Sequence, residues 1–314
     1  MFEAGNLDQL TPDANTIENY LEDARLVSYS SNKMYHIDVN DGSHPTRNPV
    51  ADTNAWRWAV YHSLDRETIA KRFFGNMEPA GWFISKQAGI LSPTAETFRD
   101  SEYGDKIEQM VAVFSAEGHY TGYNPDLAYD YMMKAFAETG LPDDYVLTVK
   151  VMHTEGGGTG GKLCEMLMAE FPVIFKGRVV VEPFVVASGM SLDLMEMQPE
   201  NWDIVYMDWG RSLSRTLPYQ VYYYHTKDYT ARPTYTYTDR FEAQFAACEA
   251  VKSGDYDTIL QETQKLEIIA LEDVISIPIV QAVNYELFAD RLQLPMKQYV
   301  PGFGWGSMFG DVID

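Results

Sequence analysis

Apolar residues recur at helical spacing from Asn54 to Phe74, where NAWRWAVYHSLDRETIAKRFF sets Trp56, Ala59, Val60 and Leu64 on one face. Asp65 supplies a cap for a second segment carrying Ile69, Phe73 and Phe74, and Gly75 offers a stop. Asn124-Pro125-Asp126 is a strong helix start. Asn caps, Pro suits the first turn, and Asp meets the positive end of the dipole. That helix buries Leu127, Tyr131, Met132, Ala135 and Phe136 and ends at Gly140. The period then changes from 3.6 to 2: Leu147, Val149 and Val151 alternate with Thr148 and Lys150, predicting a half-buried strand over 145–152. A glycine loop, a helix over about 162–171, a strand over 178–186 and a short, fully buried strand over 203–207 follow. Strand, helix and strand of these lengths imply a right-handed crossover in an α/β sheet. Helices over 241–251 and 257–271 lead into a strand over 275–280. The first 53 residues are mixed, with apolar pieces at 26–29 and 34–39, and 77–93 reads as an ordered loop rich in Gly, Pro and aromatics.

Composition narrows the classes. The 314 residues permit one large domain or two moderate ones, and 46% apolar content argues against disorder. A net charge of −22 disfavours binding to nucleic-acid phosphate or anionic lipid and suits a soluble protein that resists self-association. Cys164 and Cys248 read as two small buried residues, with a single disulfide as the other possibility. No apolar run reaches the roughly 18 residues of a membrane span, and the first residues lack the pattern of a secretion signal.

Two constellations carry candidate chemistry. Gly156–Lys162, GGGTGGK, fits the first seven positions of a phosphate-binding loop between a strand and a helix. Leu163 stands where Ser or Thr should hold magnesium, so a nucleotide-binding enzyme is the alternative function and a flexible glycine turn the plainer one. The histidines are scattered without metal-ligand spacing, and no GxSxG elbow occurs; neither metal nor cofactor is implied. The segment Trp202–Tyr224 differs. A strand carrying Tyr206 ends at Asp208, and the chain leaves through Trp209, Gly210, Arg211 and Ser212. Loops at the carboxyl ends of α/β strands are where ligands sit. An aromatic plate beside an arginine fork and hydroxyls suits a polar organic ligand. Trp209 packed under a loop, with Arg211 reaching outward, fits the same residues. Seven tyrosines between 219 and 241 suit either a binding surface or a strap across the domain.

Four landmarks in order resemble the extracellular solute-binding proteins of family 5, the oligopeptide-, dipeptide- and nickel-binding components of ABC importers. They are Glu3–Asp8, Trp56–Ala59 with Leu64-Asp65-Arg66-Glu67, Tyr123–Asp126 followed by Gly140-Leu141, and Gln264-Lys265 through Glu272-Asp273 to Ile277-Pro278-Ile279. The resemblance implies an α/β lobe of the periplasmic-binding-protein type II kind, a mixed sheet flanked by helices, with parts of a second, incomplete lobe. Residues 38–284 would form lobe II, while 1–37 and 285–314 would return to lobe I. It implies no catalysis, and a monomer that captures a small polar solute, peptide-like or sugar-like, between two lobes for a membrane permease. The implied home is extracytoplasmic, as a cell-surface lipoprotein or in the periplasm. The chain would be a C-terminal portion, so the missing signal would follow from where it begins. Trp209 matches a ligand-contacting Trp of peptide-binding members, but Ser212 stands where an Asp pairs with the peptide ammonium, and Arg211 precedes it. The candidate ligand contacts are Tyr206, Asp208, Trp209, Arg211, Ser212 and, just after the closing Ile-Pro-Ile, Gln281.

Overall fold

The computed structural model describes residues 1–13, 16–40, 47–74, 77–86, 88, 97–156, 158–188, 198–210, 217–222, 238–295, 304–306 and 310–312, with backbone alone at 32, 73, 74, 199, 208–210 and 222. It is a mixed α/β structure. The described strands of the main sheet are β1 (Gln9–Leu10), β2 (Leu26–Val39), β3 (Glu78–Pro79), β4 (Leu147–Thr154), β5 (Val179–Val186), β6 (Ile204–Gly210) and β7 (Ile277–Phe288). Their order is β1-β7-β2-β6-β4-β5, with β3 also against β7. The β4 strand pairs in parallel with β5 and β6; β2 is antiparallel to both β6 and β7. A small antiparallel pair, β8 (Leu292–Gln293) with β9 (Asp311–Val312), lies apart.

The described α-helices are α1 (Asn54–Ser63), α2 (Arg66–Ile69), α3 (Glu102–Val113), α4 (Pro125–Thr139), α5 (Gly158–Ile174), α6 (Tyr219–Tyr222), α7 (Asp239–Glu249) and α8 (Tyr256–Glu272). One large core joins them to the sheet. Trp56, Phe136 and Phe171 from the helices and Phe175 just past α5 are fully buried in it, beside Val149, Val179, Ile204 and Ile277 from the strands. Alternation sends Met152 and Val205 to the opposite face, where they cluster with Trp202 and Val186.

Most local signals act as expected. Thr53 caps α1, Asp65 caps α2 by accepting from the Thr68 N–H, and Asn124 caps α4 by accepting from the Leu127 N–H. Gly140 ends α4 at φ 71°, the left-handed conformation favoured for glycine. Beyond α2 the chain continues through a wide turn over Ala70–Phe74. Both cysteines are free and buried, which excludes the disulfide, and burial pushes the thiols up to about 11 for Cys164 and about 12 for Cys248.

Other expectations need correction. The β2 strand runs 14 residues, although the polar stretch Ser30–Lys33 separates its two apolar pieces. It is central, so pairing with β6 and β7 supplies what its own pattern lacks, and register shifts at Ser30/Met34 and Tyr35/His36 absorb the misfit. The β7 strand continues eight residues past Val280 for the same reason. The α3 helix was not anticipated, because its buried face is only Tyr103, Gly104, Ile107 and Val111.

The four landmarks are clasps. Arg291 donates to the Asp8 carboxylate (2.6 Å) and the Gly5 carbonyl (2.9 Å), tying the first landmark to the C-terminal segment. Arg66, fully buried, donates to the carbonyls of Tyr61, Leu64 and Pro278, the last at 2.7 Å, so the helix joint is bolted to the Ile-Pro-Ile strand. The Asn124 N–H donates to the His62 carbonyl (2.9 Å), joining α1 to α4. Glu267, also fully buried, accepts from the N–H groups of Phe83 (2.8 Å) and Ile84 (2.9 Å) and from Arg99 (2.5 Å). Asp273 takes Arg240 and the Thr238 hydroxyl.

Candidate functional site

The carboxyl end of β6 is built into the middle of the sheet. Asp208 stands opposite Tyr35, Trp209 opposite Met34, and Gly210 opposite Lys33 on β2. On the other edge of β2, Met34 stands opposite Gln281. Trp209, Met34 and Gln281 therefore form one row, the outer two about 10 Å apart at the usual strand spacing. Residues far apart in sequence become neighbours because β2 lies between β6 and β7.

Tyr206, half-buried, stacks on Tyr35 with ring centroids 6.0 Å apart and planes 10° from parallel. The Lys33 ammonium lies 5.0 Å from the centre of the Tyr35 ring. The first turn of α5 closes the other side. A Cβ at Gly160 would sit 3.4 Å from His153 Cβ and 3.6 Å from Tyr206 Cδ1, so the bare glycine lets the helix start lie against both. His153 turns its Nδ1 to the Thr154 carbonyl at 3.1 Å. The result is an aromatic tier flanked by a cation and a helix N-terminus. That combination suits holding a polar ligand, since exposed first-turn N–H groups favour negative charge.

Among the predicted contacts, Tyr206 belongs to this tier. Asp208 and Trp209 are present as backbone in β6, and Arg211 and Ser212 lie outside the described residues. Gln281 is 1% exposed, and its amide is already engaged. Its Oε1 accepts the Lys86 N–H at 2.8 Å, and its Nε2 donates to Glu78 at 3.4 Å. In this conformation it secures the loop beside β3. Lys33, Tyr35, His153 and Gly160 were missed. Only the i, i+2 spacing of Lys33, Tyr35 and Ile37 hinted that β2 was a strand with one face toward a site.

The glycine run does not form a phosphate cradle. After a turn at Glu155-Gly156, α5 begins at Gly158, so four of the motif's positions are already helical before Lys162, and Lys162 is exposed. Among the described residues no cluster of His, Cys, Asp and Glu has the arrangement of a metal site. No helix among them is long and apolar enough to cross a membrane.

No protein-family model matches the sequence, and no curated protein is detectably similar to it. Solved structures are similar in fold. The periplasmic murein tripeptide binding protein MppA, in its unliganded open form, superposes with a TM-score of 0.73 at 14% identity, covering 100% of this chain and 54% of that one. The substrate-binding domain of an oligopeptide ABC transporter from Bacillus anthracis gives 0.67 at 16%, covering 100% and 56%. Listeria monocytogenes OppA bound to peptide gives 0.64 at 15%, covering 100% and 55%. This chain spans about half the length of the structures it matches. Across that span it has the fold of the substrate-binding proteins of ABC transporters.

Proposed function

We propose that this chain is the solute-capturing part of the substrate-binding component of an ABC importer. It holds a small polar solute, peptide-like or sugar-like, between two lobes and hands it to a membrane permease. The observation that carries this proposal is fold likeness over the entire chain to proteins described as peptide-binding. Residues 38–284 act as lobe II, and 1–37 with 285–314 belong to lobe I. The paired β2 and β7 strands run through both boundaries, as connecting strands would. Affinity comes from burying the ligand as the lobes close. The protein works outside the cytoplasm, as a periplasmic protein or surface lipoprotein, and as a monomer without a cofactor.

In this proposal Tyr206, Asp208 and Trp209 form the ligand platform with Arg211 and Ser212, and Gln281 holds its edge. Arg211 repels an ammonium group and favours an anionic or hydroxyl-rich ligand. Thermal-shift screening of the full-length protein with peptides and sugars tests this. A ligand at 100 times its Kd adds about 2.7 kcal/mol of stability. Arg211→Ala should weaken the hit, and silence across both libraries would overturn the proposal.

A further inference from the structure

We propose that the groove between the Glu78–Lys86 loop and α3 is a second ligand site, taking a small organic ammonium ion. The groove encloses about 490 Å³ and is lined by Glu78, Trp82, Lys86, Glu108, Ala112 and Tyr120, among others. That size fits a small molecule. It opens on the β3 edge of β7, across that strand from β2 and β6.

The charges decide what the groove can hold. Two cations stand near, and each already faces a carboxylate. The Lys86 ammonium is 3.0 Å from Glu78, and the Arg99 guanidinium donates to Glu267 at 2.5 Å and to the Ile84 carbonyl at 2.8 Å, with its Nη1 left without a hydrogen bond among the described residues. Glu108 is left over: half-buried, with no hydrogen bond or close ion pair to any described residue. Burial pushes its carboxyl above the ordinary range, against the pull of Arg99 and Lys86. An ammonium ion would relieve that burial, because a half-desolvated carboxylate gains most from a charge-assisted hydrogen bond.

The walls suit the rest of such a ligand. Tyr120 is 61% exposed and lines the groove, where an aromatic ring suits a cation and its alkyl chain. Trp82 is 5% exposed and lines the groove; its indole N–H, a donor with no partner among the described residues, does not bind an ammonium ion but reports on changes beside it. Its position is fixed, since the N–H groups of the next two residues are both held by Glu267.

The test is a titration of ¹⁵N-labelled protein with 1,5-diaminopentane, following the Trp82 indole N–H signal, assigned with Trp82→Phe. Pentan-1-ol serves as the neutral control. The expected result is a saturable shift with the diamine alone, weakened at least tenfold in Glu108→Gln and lost in Ala112→Trp, which fills the groove from an exposed helix position. Far-UV circular dichroism checks that both variants fold. A shift that does not saturate, that pentan-1-ol reproduces, or that Glu108→Gln weakens less than tenfold would overturn the proposal. None of these outcomes bears on solute capture at the Tyr206 site, which the peptide and sugar screen reads separately.

Discussion

Glu267→Leu is the substitution expected to damage this fold most for its size. The carboxylate is fully buried and is the acceptor for the N–H groups of Phe83 and Ile84 and for the Arg99 guanidinium. Leucine would fill a similar volume, but it leaves two buried donors unpaired, at about 1–3 kcal/mol each. Arg99, whose side chain is 3% exposed, would also become an uncompensated charge. It keeps its bond to the Ile84 carbonyl at 2.8 Å, which softens the loss. Breaking a buried pair from one side costs about 3–5 kcal/mol, so with the two orphaned N–H groups the total should be at least about 5 kcal/mol, near the low end of the sum because Arg99 keeps its carbonyl partner. Equilibrium urea unfolding followed by circular dichroism would read this as a lower midpoint with little change in slope. Glu267→Gln, which keeps an acceptor, should lose less. The double variant Glu267→Leu/Arg99→Leu removes the stranded charge and should recover about 1–3 kcal/mol relative to the sum of the single changes. A Glu267→Leu protein within about 1 kcal/mol of the parent, or strict additivity in the double variant, would refute the reasoning.

Three further outcomes are expected. Gly104→Ala should destabilise despite a helix-propensity gain of about 1 kcal/mol, because the new Cβ would stand 2.4 Å from the Phe98 carbonyl oxygen and 2.7 Å from Arg99 Cα, both backbone. Overpacking of about 1–3 kcal/mol should win, and a raised urea midpoint would contradict it. Arg66→Met strips donors from three carbonyls and should cost about 2–4 kcal/mol, after allowing for relief of the buried charge; an unchanged midpoint would show the bolt to Pro278 to be idle. The third concerns pH. Burial lowers His62 from 6.5 to about 4, so across that window the unfolded chain binds the extra proton and stability falls as pH falls. Burial raises Asp203 from 3.8 to about 6, against the Lys150 N–H and Asn48, so the folded chain holds that proton and stability falls as pH rises. At about 3 kcal/mol each, the two oppose one another and the parent should be nearly flat from pH 4 to 6. His62→Gln should then lose stability with rising pH and Asp203→Asn should gain it; two flat profiles from urea unfolding would refute both assignments.

Local chemistry made much of the frame legible. Asp65, Asn124 and Gly140 act within one turn of themselves, so their capping roles follow from residue type and order alone. The alternation of Leu147, Val149 and Val151 likewise needs nothing beyond a strand with one buried face. The glycine run misled because backbone freedom predicts a loop only where no neighbour constrains it. Here packing against His153 and Tyr206 draws those residues into the first turn of α5.

The site was legible only at Tyr206 and at the strand end that follows it. Lys33 and Tyr35 come from a strand whose polar stretch hides it, and they reach Tyr206 through antiparallel pairing across the sheet. Strand order, unlike a cap, is a property of long-range hydrogen bonds and leaves no local signature. Gln281 shows the limit from the other side. Its sequence position lies beside the site, yet its side chain is committed to Glu78 and Lys86, a partnership that exists only once β3 has docked on β7. The sequence by itself determined the caps, the periodicities and the four landmarks, because each depends on residues a few positions apart. Tertiary structure alone decided that those landmarks are clasps, which strands meet at the site, and that Glu108 faces the α3 groove without a partner among the described residues, because burial and pairing across the sheet are set by the whole chain.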